Sequence, residues 1–149
     1  MPAPAVDFVE RTGGVFVELP PGPGCVGVAR LLAHTLAQRR DLDEERIEDL
    51  VLAVSEACSI GSVTGEAPPV GVTLRWSEEP DRCVIEVGCP GGPILSGRSL
   101  DPPTDPGAAA VEGRLHLPLI AALVDELEVN DESLVLTVLC GPWQGFEED

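Results

Sequence analysis

The segment from Asp43 to Ile60 constrains this chain more than any other. Ile47, Leu50, Val51, Val54 and Cys58 recur at i, i+3, i+4, i+7 and i+11, which draws one apolar stripe along a helix. Asp43 stands at the N-cap position, and Glu44 and Glu45 fall in the first turn, where the helix dipole favours carboxylates. Gly61 and Gly65 break the pattern beyond Ile60. A helix with one buried stripe has to lay it on another layer, so the neighbouring segments decide the fold.

Those segments read as a sheet and two more helices. Val15–Leu19 has strand character and is stopped by the Pro/Gly run 20–24. From Val26 to Arg40, Val28, Leu31, Leu32 and Leu36 recur at helical spacing and predict a core face. Arg39 and Arg40 stand where a helix C-terminus favours cations. Val70–Trp76 and Cys83–Val87 flank a polar turn over 77–82 and predict a hairpin. Leu117–Leu127 predicts a third helix, with Pro118 in its first turn and Leu119, Ile120, Leu123, Val124 and Leu127 facing the core. Glu128-Val129, a turn over 130–133 and Leu134–Cys140 predict a last hairpin. This order of elements describes an α+β two-layer sandwich, a mixed or mostly antiparallel sheet with helices on one face. The expected organisation is a flexible arm over 1–13, one domain over 14–140 and an acidic tail over 141–149. Within the domain, the Gly/Pro-rich stretch 90–113 reads as a lid-like loop.

Composition narrows the partners. The 149 residues carry 26 Asp and Glu against 9 Lys and Arg, a net charge of -17, and all nine basic residues are Arg. Phosphate backbones and anionic membrane surfaces repel such a chain, whereas a basic protein surface complements it. No apolar run approaches membrane-spanning length, and MPAPAVDFVERTGG lacks the basic-then-apolar order of a leader, so a cytoplasmic location is expected. The five cysteines form no C-x-x-C pair, and read as small buried hydrophobes in a reducing compartment rather than as zinc ligands.

Asp43–Ala57 (DEERIEDLVLAVSEA) resembles the N-box helix of the anti-sigma-factor serine-kinase family, small GHKL ATPases with the Bergerat fold. Leu117–Val129 (LPLIAALVDELEV) is similar to the final helix and following strand of that family. The resemblance covers roughly residues 15–140, with the Gly/Pro-rich stretch where the family keeps its ATP lid.

The residues expected to do chemistry depart from the family pattern. The N box implies a Glu acting as base towards a substrate serine, and an Asn one turn later holding Mg²⁺ against the phosphates. The first falls on Glu56 and the second on Ile60, which has no oxygen for a hard cation. Without the Asn, Glu56 also reads as a solvated helix glutamate. The adenine-recognising Asp of the second box falls on Cys89, with Gly91 on the first glycine and Pro93 on the second. A thiol does not match a carboxylate as acceptor. Glu86 lies three residues upstream, an odd offset that points it to the opposite face of a strand. The third box, a Gly-x-Gly-Leu turn whose amides meet phosphate, falls on Arg114-Leu115-His116-Leu117 without either glycine. Arg114 and His116 are the remaining candidates for an anion contact.

The expectation is therefore a degenerate member with no cofactor, one that binds a sigma factor or an anti-anti-sigma protein. The alternative is an active ATP- and Mg²⁺-dependent serine kinase with Glu56 as base. The resemblance also implies a homodimer. Val15–Leu19, apolar at nearly every position, fits a strand edge covered by a second chain, and Val6, Phe8 and Val9 of the arm are the competing cover.

Overall fold

A computed structural model describes residues 14–20, 24–60, 71–90 and 116–140. Its elements are β1 (Gly14–Leu19), α1 (Gly24–Ala37), α2 (Glu44–Ile60), β2 (Val72–Glu79), β3 (Arg82–Gly88), α3 (His116–Leu123), β4 (Glu126–Val129) and β5 (Ser133–Leu139). The strands form one sheet in the order β1-β2-β3-β5-β4, antiparallel at every pairing. The expected α+β sandwich is the observed one, and the mixed sheet allowed by the sequence resolves to a purely antiparallel one. The arm over 1–13, most of the stretch 90–113 and the tail over 141–149 lie outside the described residues.

Alternation along the strands makes one sheet face the core floor. Leu74, Trp76, Ile85, Val87, Leu134, Leu136 and Val138 are all buried on it, and α2 and α3 complete the core with Leu50, Val54 and Ile120. The outer face carries Phe16, Arg75 and Glu86, with the Arg75 guanidinium 4.6 Å from the Phe16 ring centre and 3.9 Å from the Glu86 carboxylate. Gly88 is needed for close approach, because a Cβ there would stand 2.5 Å from the Thr73 hydroxyl oxygen on the paired strand.

α2 begins as its sequence predicts. The Asp43 carboxylate accepts from the Arg46 amide at 2.8 Å, and the Asp43 carbonyl accepts the first intrahelical bond, from Ile47.

Three boundaries and one helix face differ from expectation. α1 starts at Gly24 and buries Cys25, Ala29, Ala33, Leu36 and Ala37; of the predicted Val28, Leu31, Leu32 and Leu36, Leu36 is buried and Leu32 packs partly buried against the core, while Val28 and Leu31 face outward. Val28 and Leu31 are 51% and 69% exposed. α1 packs beside α2, and alanines at the seam let two helix backbones approach closely, which turns the larger side chains outward. α3 ends at Leu123 rather than Leu127. Leu127 instead sits in β4 opposite Leu136, where cross-strand burial outweighs helical continuation. The β2–β3 hairpin is also tighter than predicted, turning on Pro80-Asp81 alone.

Arg40 is a further correction. It lies beyond the end of α1, and its side chain is fully buried rather than set against the helix dipole. The guanidinium donates to the carbonyls of Glu79 at 2.7 Å and Pro80 at 3.1 Å, and lies 3.9 Å from the Glu78 carboxylate. Glu78 in turn accepts from the Trp76 indole N–H at 3.2 Å. This strap fastens the α1–α2 connection to the β2–β3 turn.

Candidate functional site

The candidate site lies where the C-terminal half of α2 meets the end of β3 and the start of α3. α2 is enclosed there, with Ala53, Val54, Ala57, Cys58 and Ile60 all buried. Glu56 is half-buried and Leu52, one turn earlier, is exposed, so the accessible strip of this helix runs through these two positions. Ser59 turns its hydroxyl back to the Ser55 carbonyl at 2.9 Å.

Ile60, which the resemblance puts at the Mg²⁺-holding position, is only 4% exposed and belongs to the hydrophobic core. Cys89 follows β3 directly and is 1% exposed, with its amide donating to the Glu132 carbonyl at 2.8 Å. Glu86 stands on the outer sheet face beside Arg75 and does not replace Cys89. Cys25 of α1 and Cys89 both act electrostatically on Cys58 of α2. Burial first, and then those two neighbours, push the Cys58 thiol far above its ordinary value, so it remains protonated and apolar in character. His116 opens α3, while Gly91, Pro93 and Arg114 lie outside the described residues.

These described positions do not fit Mg²⁺ and ATP in the manner of an N box followed by an adenine-binding Asp. A hard divalent cation takes oxygen ligands, and Ile60 has none. An adenine amino group needs a strong acceptor, and a buried thiol is a weak one. Among the described residues, no group of three or more His, Cys, Asp or Glu side chains is placed to hold a metal.

Local sequence patterns missed the Arg40–Glu78–Trp76 cluster, because its partners lie on distant strands. They also missed the exposed apolar strip of α1. The only advance signal for the latter was the competing series of small residues Cys25, Ala29, Ala33 and Ala37. No described helix is long and apolar enough to cross a membrane.

Comparison with known proteins agrees with this architecture. Residues 19–139 match the family model of the histidine kinase-like ATPase domain. Serine-protein kinase RsbW of Bacillus pumilus (strain SAFR-032) is 33% identical over 143 residues, covering 90% of this chain and 85% of the relative. Serine-protein kinase RsbW of Bacillus subtilis (strain 168) is 30% identical over 147 residues, covering 89% and 84%. The family-model match over residues 19–139 and the relatives' matches across nearly the whole length place the chain in the histidine kinase-like ATPase family, among the anti-sigma-factor serine kinases.

Proposed function

We propose that this chain is an anti-sigma-factor-like regulator that acts by binding proteins in the cytoplasm, with a nucleotide site that no longer works. The burial of Ile60 in the core carries the reading, since it leaves no oxygen at the position that the family uses for Mg²⁺. Cys89 at the adenine position supports it. The partner is a sigma factor or an anti-anti-sigma protein, and the net charge of -17 steers a basic partner surface towards the chain while repelling nucleic acid. The working unit is a homodimer joined next to β1, a reading supported by Phe16 at 48% exposure.

A second reading, an active serine kinase with Glu56 as base, is favoured by the relatives' name and by the half-buried, accessible place of Glu56 on α2. One measurement separates the two. Titration with ATP and Mg²⁺ in a calorimeter, together with thermal melting, is expected to show no saturable binding below millimolar concentration and no rise in Tm. A ligand at 100 times its Kd stabilises by about 2.7 kcal/mol, a shift of several degrees that melting resolves easily. Micromolar affinity would overturn the non-functional site and favour the kinase.

A further inference from the structure

We infer that Cys83 and Cys140 form a modification site for hydroperoxides, in which the two thiols are oxidised to an intramolecular disulfide. Their sulfurs lie 3.6 Å apart, on β3 and just past the end of β5. Both residues are held by backbone pairing. Cys83 stands opposite Val138, and the Cys140 amide donates to the Asp81 carbonyl at 3.0 Å, so the two side chains meet diagonally across adjacent strands. A disulfide requires the sulfurs to close to about 2.05 Å, a movement that χ1 rotation of the half-buried Cys140 side chain supplies without shifting the paired backbone.

The two thiols are unequal in a way that orders the chemistry. Cys140 is half-buried and open to a small oxidant, whereas Cys83 is buried. The Cys140 sulfur attacks one peroxide oxygen, the O–O bond breaks, and the leaving alkoxide or hydroxide takes up the thiol proton as an alcohol or water. Cys140 is then a sulfenic acid. The Cys83 sulfur attacks the Cys140 sulfur, the S–O bond breaks, and the departing hydroxide takes the Cys83 proton to leave as water. The thiols lose two electrons in all and the peroxide gains them. A dithiol reductant returns them.

Arg40 bears on the second step. Its guanidinium nitrogen lies 3.9 Å from the Cys83 sulfur and favours the thiolate that has to attack. Burial pushes the Cys83 thiol up, the adjoining Cys140 sulfur adds to this, and Arg40 opposes both, so Cys83 suits the resolving role rather than the first attack. Cys25, Cys58 and Cys89 are all buried at the other cluster and serve as internal controls.

The test is thiol mapping on the full chain. Reduced, desalted protein is treated with hydrogen peroxide, denatured in an alkylating agent and digested without reductant by trypsin and a glutamyl endopeptidase. Cleavage after Glu86 separates Cys83 from Cys89. The alkylatable thiols are expected to fall from five to three, with a linked peptide joining Cys83 to Cys140 and full recovery after a dithiol reductant. In Cys83→Ser, dimedone should label Cys140 as a trapped sulfenic acid that the wild type does not accumulate. Linkage through any other cysteine, oxidation of Cys140 to a sulfinic acid in the wild type, or five thiols remaining after peroxide would overturn the site. The wild-type map stands without the variant should Cys83→Ser fail to fold.

Discussion

Replacing Arg40 with Met keeps much of the buried stem and removes the charge. The carbonyls of Glu79 and Pro80 lose donors at 2.7 and 3.1 Å, and Glu78 loses the cation 3.9 Å from its carboxylate. Breaking a buried ion pair from one side costs about 3–5 kcal/mol, because the remaining charge stays desolvated. Set against a typical domain stability of about 5–15 kcal/mol, this is a large share, and it corresponds to a Tm lower by roughly 10–15 °C. Urea unfolding followed by tryptophan fluorescence measures it, with Trp76 hydrogen-bonded to Glu78 as the local reporter. The loss should also depend on pH. Burial raises the Glu78 pKa, and the Trp76 hydrogen bond and Arg40 only partly counter it. A carboxyl whose folded pKa is raised favours folding below its unfolded pKa and loses that contribution as pH rises through the folded value. Without Arg40 the folded pKa rises further, so the deficit of Arg40→Met grows from acidic to neutral pH and shrinks on acidification. In a Glu78→Gln background the same substitution should cost markedly less, since no carboxylate is left stranded. A loss under about 1 kcal/mol, or an equal loss in both backgrounds, would refute the argument.

Two other perturbations test separate parts of the molecule. Asp125 accepts from the Leu139 amide at 2.8 Å and from Arg46 at 2.7 Å; partial burial works against its charge, but these partners outweigh it and hold the carboxyl below its usual value. That stability is present above the unfolded pKa and is lost as pH falls through the folded one. Asp125→Asn should therefore cost about 1 kcal/mol at neutral pH, with the gap to wild type closing in acid, as urea curves at both pH values will show. Light scattering at micromolar concentration should give the wild type about twice the monomer mass and Phe16→Glu the monomer mass; a monomeric wild type would remove the β1-side dimer.

Local signals made α2 and both hairpins legible, because the Asp43 cap, the Ile47–Cys58 stripe and strand alternation all act within a few residues. The face of α1 was not legible in the same way. Val28, Leu31, Leu32 and Leu36 make the stronger apolar pattern, yet close helix packing buries small Ala29, Ala33 and Ala37 beside Leu36 and leaves Val28 and Leu31 outside. Leu127 satisfies helical spacing from Val124 and Leu123, and only its partner Leu136 assigns it to a strand. Arg40 reads as a surface cation until the Glu79 and Pro80 carbonyls, supplied by a distant turn, enclose it. At the candidate site, the family resemblance picked out Glu56, Ile60 and Cys89. What it did not reveal is that Ile60 and Cys89 are both sealed inside the core beside Cys58.

The strand order also sets when each part of the sheet can form. β2–β3 and β4–β5 each join across two-residue turns, at Pro80-Asp81 and Asp131-Glu132, and are closed by short-range pairing. β1–β2 and β3–β5 instead join strands separated by whole helices in the chain, so loop-closure entropy has to be met before any of their contacts form. During synthesis β1, α1 and α2 emerge before any strand able to cover them, and α2 carries its bare apolar stripe until the hairpin from Val72 to Gly88 arrives. The nascent chain therefore passes through a stage in which the apolar stripe of α2 has no sheet beneath it, and that is the stage at which a chaperone or a second nascent copy would meet it.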